Sequence, residues 1–82
     1  MLNVDVLINA SLIKVICALN NRKYNVLVYE NGIAAIKDEK IHFVTITDNK
    51  YHIDTHDYAT EKLLNTSSCK TINEVIFICN TF

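Results

Sequence analysis

A run of histidine and acidic residues in the second half of the chain could bind a metal ion. It reads His52-Ile53-Asp54-Thr55-His56-Asp57. Side chains alternate between the faces of a strand, so a strand here would place three candidate ligands on one face: His52, Asp54 and His56. Thr55 is also a good helix cap, which would end the alternation, and His42 is the one other histidine. We therefore expect hydrogen-bonded histidines and no bound metal.

Nucleophilic catalysis is the second chemistry to consider. Ser67, Ser68 and Cys69 precede Lys70, a cation that would favour the Cys69 thiolate. A nucleophile also needs a base and an oxyanion site, and the chain has no Gly-x-Ser-x-Gly motif. Phosphate-binding loops need several glycines, whereas Gly32 is the one glycine present. The sequence therefore predicts a protein that is not an enzyme and uses no cofactor.

Composition and charge exclude further classes. Eight Lys/Arg against nine Asp/Glu give a net charge of −1, whereas most proteins that bind nucleic acid are strongly basic. Half of the residues are hydrophobic and there is no proline, which is typical of a folded chain. A length of 82 residues predicts a single domain over residues 1–82. We expect no nucleic-acid partner.

The predicted compartment follows from the N-terminal segment and the cysteines. Polar residues interrupt the apolar stretch over residues 4–19, so it is too polar to span a membrane. Met1 to Asp5 include no Lys or Arg, unlike the start of a signal peptide. Three cysteines without close spacing predict neither a disulfide framework nor a zinc site. We expect a cytoplasmic protein without membrane contact.

Three turn signals divide the middle of the chain into short segments rich in β-branched and aromatic residues. The signals are Glu30-Asn31-Gly32, Asp38-Glu39-Lys40 and Asp48-Asn49-Lys50. The segments cover residues 24–30, 33–37, 41–47 and 51–54, and they predict an antiparallel meander. Asn31-Gly32 is predicted at the centre of a type I′ turn. Residues 41–47 are apolar on both faces, which predicts a central strand.

The remaining segments predict two helices and a C-terminal strand. Thr55 can cap a helix over residues 56–65, residues 66–73 are expected to form a loop, and the apolar residues 74–80 are expected to form a buried strand. The N-terminal third has two interpretations. We favour one long helix from Asn3 or Asp5 to Asn21; the other is a strand over residues 2–8 followed by a helix.

The fold class follows from these elements. With the long helix, the chain is an α+β protein in which two helices pack on an antiparallel sheet of four to five strands, namely the central meander plus the C-terminal strand. With the N-terminal strand, it is a ferredoxin-like β-α-β-β-α-β fold with an extra hairpin.

The apolar content predicts a protein that binds another macromolecule. A domain this small buries roughly 60–65% of its unfolded surface, so part of the apolar area is expected to face a partner. We expect a larger protein or complex with a basic groove; a homo-oligomer is the second possibility. Acidic residues at the hairpin tips would steer association and two tyrosines would anchor it. These residues are Glu30, Asp38, Glu39, Asp48, Tyr29 and Tyr51.

In size and style the chain resembles small proteins of phages and mobile elements from AT-rich hosts. The shared features are few glycines, no proline, many Asn, Ile and Lys residues and no catalytic motif. Anti-defence inhibitors, including anti-CRISPR proteins, belong to this group, so the resemblance implies a viral inhibitor. The alternative is a small metal-binding or nucleic-acid-binding factor that uses His52, Asp54 and His56.

Overall fold

The computed structural model of the chain describes residues 10–29 and 32–82, in which five strands form one antiparallel sheet. The elements in chain order are α1 (Ala10–Asn20), β1 (Asn25–Tyr29), β2 (Gly32–Lys37), β3 (Lys40–Thr47), β4 (Lys50–Asp57), β5 (Leu63–Cys69) and α2 (Ile72–Thr81). Their order across the sheet is the same as along the chain, so β3 is the central strand. The α+β class, the antiparallel sheet and the two helices are confirmed.

Two of the three turn signals form the tight turns that the sequence predicts. Asp38 and Glu39 join β2 to β3 with φ angles of 53° and 67°, and Asp48 and Asn49 join β3 to β4 with φ angles of 54° and 61°. Positive φ at both central positions is the requirement of a type I′ turn, which matches the twist of the two strands. These turns fix the register of the central hairpins.

Gly32 serves close packing rather than a turn. The β1–β2 hairpin is present, but Gly32 is the first residue of β2, pairs with Tyr29 and has no positive φ, so the prediction that it lies at the centre of a type I′ turn is wrong. The connecting residues 30–31 lie outside the described residues. A Cβ atom on Gly32 would overlap the carbonyl oxygen of Val44 and lie 3.0 Å from Thr45 Cγ2. Only glycine allows this approach without a backbone shift.

The predicted positions of the second helix and the last strand are exchanged. Residues 55–57 belong to β4 and residues 63–69 form β5, so no helix covers residues 56–65. The helix is instead α2, in the segment predicted as a strand, and it begins after a capping box formed by Thr71 and Glu74. Its buried residues Val75, Ile76 and Cys79 share one helical face. The fifth strand is therefore an edge strand before α2.

Helix α1 accounts for the described part of the predicted N-terminal helix. It ends in a Schellman motif, in which Lys23 has φ 69°, Tyr24 N–H donates to Leu19 O (3.1 Å) and Lys23 N–H donates to Asn20 O (3.0 Å). The two predictions for the segment before Ala10, a helix or a strand, concern residues outside the described part of the chain. Within the described residues no helix interrupts the five strands, so the ferredoxin-like order is not found.

Both helices lie on one face of the sheet. Helix α1 contacts β1 and β2, helix α2 contacts β4 and β5, and the helices contact each other. The core lies between the helices and this face, and its buried apolar residues include Leu12, Val15, Leu19, Ile33, Val44, Ile53, Val75 and Cys79. No described helix covers the opposite face, which we call the open face. Neither described helix is long and apolar enough to cross a membrane.

Candidate functional site on the open face

Strand register arranges the open face in three rows that run across the sheet. The rows are Asn25, Ile36, Ile41, His56 and Leu63; then Leu27, Ala34, Phe43, Asp54 and Thr66; then Tyr29, Gly32, Thr45, His52 and Ser68. The alternation of side chains along each strand produces this set, because every second residue points away from the helices.

The open face is apolar at its centre. Leu27, Tyr29 and Phe43 are 41%, 51% and 37% exposed, respectively. The residues of β2 between them are small: Gly32 and Ala34 are buried beneath their larger neighbours. A shallow groove therefore follows β2, with β1 side chains on one side and Phe43 on the other.

Phe43 separates two cavities on this face. A cavity of about 180 Å³ is lined by Tyr29, Gly32, Phe43 and Thr45. A second cavity of about 500 Å³ is lined by residues of β3, β4 and the β4–β5 loop, including Ile41, Phe43, His56, Asp57, Tyr58 and Glu61. The larger volume lies in the range of ligand-binding pockets, ~300–1,000 Å³. Phe43 contributes to both cavities and occupies the middle of the apolar patch.

The ring of His56 supports the ring of Phe43 from the neighbouring strand. The two centroids are 5.5 Å apart and the planes meet at 81°, which is the edge-to-face geometry that aromatic rings favour. His56 Nδ1 lies 3.1 Å from the carbonyl oxygen of Glu61, so the imidazole is also tied to the β4–β5 loop. Phe43, which separates the two cavities, is therefore supported by His56, and His56 is in turn held by the β4–β5 loop.

Acidic residues lie beside the apolar centre on the β4 side: Asp54 is on the open face, and Asp57, at the end of β4, is among the residues that line the larger cavity. Asp54 is exposed and pairs in register with Phe43. Asp57 accepts hydrogen bonds from the Thr60 backbone N–H (2.9 Å) and hydroxyl (2.8 Å), which hold the pKa of this carboxyl below its usual range. Among the described strand residues, Lys50 at the end of β4 is the one cation that shares the open face. The apolar patch therefore has an acidic border.

The three candidate metal ligands do not assemble into a site. His52, Asp54 and His56 share the open face, as the alternation predicts. His52 and His56 are four strand positions apart, about 13 Å, which is too far for one ion. His52 Nδ1 lies instead 2.9 Å from Ser68 Oγ. In the described part of the chain, no three His, Cys, Asp or Glu side chains are arranged to hold a metal ion.

The residues that the sequence proposes for partner binding are scattered. Tyr29 lies on the open face. Asp38 and Glu39 are exposed at the β2–β3 turn, and Asp48 is exposed at the opposite end of β3, so they form no common patch. Tyr51 is 8% exposed and belongs to the core, so the expectation that it anchors a partner is wrong. Glu30 lies outside the described residues.

Cys69, which the sequence suggests as a candidate nucleophile beside Lys70, is a buried thiol. It is 7% exposed, and its Sγ lies 3.8 Å from the Thr71 carbonyl oxygen. Burial, and then the nearby Glu74 carboxylate, raise the pKa of the Cys69 thiol. The thiolate is therefore disfavoured, which argues against nucleophilic chemistry at this residue.

The residues predicted from the sequence to bind a partner protein do not include Leu27 and Phe43. The alternation along β1 and β3 places them on one face, but it does not say which face the helices leave uncovered. No protein-family model, curated protein or solved structure matches the chain, so its function is argued from the geometry of the open face.

Proposed function

We propose that the chain is a non-enzymatic protein-binding module that inhibits or regulates a larger protein or complex by covering part of its surface. The observation that carries the proposal is the apolar patch formed by Leu27, Tyr29 and Phe43 on the open face. Contiguous exposed apolar patches on small proteins mark interaction sites more often than isolated exposed residues do.

The acidic border defines the chemistry of the partner. Asp54, Asp57 and Glu61 lie beside the patch or line its larger cavity. A partner groove that combines apolar contacts with Lys or Arg side chains complements this arrangement, because opposite charges steer association while apolar burial supplies affinity. The partner that fits is therefore a protein with a basic, partly apolar groove.

The compositional resemblance supports a biological setting for this module. An inhibitor made by a phage or mobile element would act in the host cytoplasm on a defence complex, as anti-CRISPR proteins do. Many such complexes bind nucleic acid and therefore present basic grooves. The acidic border of the open face suits a groove of that kind.

Phe43 is the residue whose loss tests the proposal. Aromatic residues near the centre of an interface contribute most to affinity, and truncation of such a residue costs at least about 2 kcal/mol, or roughly 30-fold in Kd. Phe77 on α2 is 68% exposed and provides a matched control on the other side of the molecule. Phe43→Ser and Phe77→Ser remove the same ring from two different surfaces.

The experiment captures the partner from the native host with the wild-type chain, purifies it, and measures the Kd of the three chains by calorimetry. We expect Phe43→Ser to weaken binding about 30-fold and Phe77→Ser to leave it within about twofold. Circular dichroism confirms that both variants fold. Equal binding by Phe43→Ser and wild type would contradict the proposal, as would self-association of wild type that Phe43→Ser abolishes, because the open face would then bind a second copy.

A further inference from the structure

A separate polar cavity lies on the helix side of the sheet, near the end of α2. Its volume is about 230 Å³, and its lining includes Tyr24, Lys37, Asp38, Lys40, His42 and Asn80. This volume is smaller than the ~300–1,000 Å³ of pockets for drug-sized ligands. The cavity therefore suits a small polar group.

The hydrogen bond between His42 and Thr55 determines what His42 presents to the cavity. His42 Nδ1 lies 2.7 Å from Thr55 Oγ1, and both side chains are buried. A buried hydroxyl must donate its hydrogen, and His42 Nδ1 is the partner that Thr55 has among the described residues. Thr55 therefore donates, which assigns the proton of the neutral imidazole to Nε2. His42 lines the cavity, so we take this Nε2–H as the ring donor available to a ligand there.

A hydrogen bond with Tyr24 orients the side-chain amide of Asn80. The Tyr24 hydroxyl donates to Asn80 Oδ1 at 2.7 Å. This bond directs the amide oxygen towards Tyr24, so the NH2 group of Asn80 points away from that hydroxyl and can donate to a ligand. The Tyr24 hydroxyl holds Asn80 in this orientation.

Two ammonium groups complete the set of donors. Lys37 Nζ donates to the Arg22 carbonyl oxygen at 2.9 Å and lies 4.9 Å from the centroid of the Tyr24 ring, so both contacts are with neutral groups. Lys40 lies close enough to His42 to destabilise a positive charge on its ring. Asp38 is the one acidic side chain in the cavity lining. Among the side chains of the lining, donors and positive charge therefore exceed acceptors and negative charge.

We propose that this cavity binds a small oxyanion group, a carboxylate or a phosphate, through the charges of Lys37 and Lys40 and the N–H groups of His42 and Asn80. An oxyanion offers only acceptors, which is what a cavity rich in donors lacks. The site lies on the helix side of the sheet and is independent of the open face.

The experiment follows the histidine ring resonances by ¹H–¹³C NMR in Bis-Tris chloride at neutral pH. Sodium phosphate and sodium acetate are titrated separately, with sodium chloride at matched ionic strength as the reference. We expect a saturable shift of the His42 resonances, assigned with His42→Gln, while His52 and His56 on the open face stay unchanged. A response to phosphate alone identifies a phosphate site, and a response to both salts identifies a carboxylate site as well.

Substitutions that remove one charge at a time test whether that charge favours or opposes anion binding. Lys40→Gln should raise the Kd about tenfold, because a charge-assisted contact is lost. Asp38→Asn should lower the Kd, because the negative charge of the acidic side chain in the lining is removed, and Lys50→Gln at the other end of the sheet should change the Kd less than twofold. A His42 shift that does not saturate, or equal effects of Lys40→Gln and Lys50→Gln, would overturn the proposal. No partner protein is needed, so failure here leaves the proposed function untouched.

Discussion

His42 and Thr55 face each other across β3 and β4, and His42 Nδ1 lies 2.7 Å from Thr55 Oγ1. Both residues are almost fully buried, at 1% and 0% exposure. Burial lowers the pKa of His42 from 6.5 to about 4, and the Lys40 ammonium adds to the effect. This pair is therefore a neutral hydrogen bond inside the core at physiological pH.

The first prediction concerns acid stability. The unfolded chain takes up a proton on His42 near pH 6.5, whereas the folded chain does so near pH 4. The contribution of neutral His42 to the free energy of unfolding is therefore complete above pH 6.5 and declines as the pH falls towards 4. The loss amounts to at most about 3 kcal/mol. Urea unfolding between pH 7 and 4 should show a flatter pH dependence for His42→Gln than for wild type. Equal slopes for His42→Gln and wild type would contradict the prediction.

The second prediction concerns Gly32. A Cβ atom there meets the Val44 carbonyl oxygen, which belongs to the backbone of the central strand and cannot rotate away. We expect Gly32→Ala to destabilise the fold by about 1–3 kcal/mol in urea unfolding, as overpacking does. Thr45→Ala removes the second contact at Cγ2 and should not rescue the variant. Rescue by Thr45→Ala would show that the side chain, and not the backbone, limits the site.

The third prediction concerns the start of α2. Thr71 Oγ1 accepts from Glu74 N–H at 3.2 Å, and Glu74 Oε1 accepts from Thr71 N–H at 3.1 Å. Thr71→Ala should cost about 1 kcal/mol, whereas Thr71→Ser keeps the hydroxyl and should cost little. The Thr71 hydroxyl is also the main cause of the lowered pKa of Glu74, so Thr71→Ala should move this pKa towards 4.5 in an NMR titration. An unchanged Glu74 pKa in Thr71→Ala would contradict the hydrogen bond that the Thr71 hydroxyl donates to Glu74 Oε1 at 2.9 Å, and an unchanged stability would contradict the capping box.

The turns and the central strand could be predicted because local chemistry determines them. Asp38-Glu39 and Asp48-Asn49 tolerate the positive φ angles that tight hairpins need. The two apolar faces of the segment around Phe43 and Val44 indicated a strand with neighbours on both sides, and β3 is the central strand.

The exchange of the last two elements has a physical reason. The β-branched run around Val75 and Ile76 is consistent with a buried strand or a buried helix, and periodicity alone does not separate the two. The Thr71-x-x-Glu74 capping signature was the available evidence for a helix. The β5 segment contains Asn65, Ser67 and other polar residues because it lies at the sheet edge, so it shows no apolar alternation.

The candidate site was less accessible to sequence reasoning than the fold. Alternation along β3 places the side chains of Phe43 and Val44 on opposite faces of the sheet, but tertiary packing decides which of these two faces remains exposed. Tyr51 illustrates the same point, since its position in β4 directs it into the core beneath the helices. The acidic residues of the hairpins could be identified from the sequence, but they indicate where the chain turns. The position of the open face depends instead on how the two helices pack on the sheet.

The sequential order of strands has a consequence for how the chain folds. Each strand of the sheet pairs with its neighbour along the chain, and two of the connections are two-residue turns. Because the connections are short, the mean sequence separation of the residues that pair in the sheet is low. Closing such short loops also costs little conformational entropy. Low contact order correlates with rapid folding. We expect hairpins to nucleate locally and the sheet to grow by zippering, faster than in a β-sandwich of equal length.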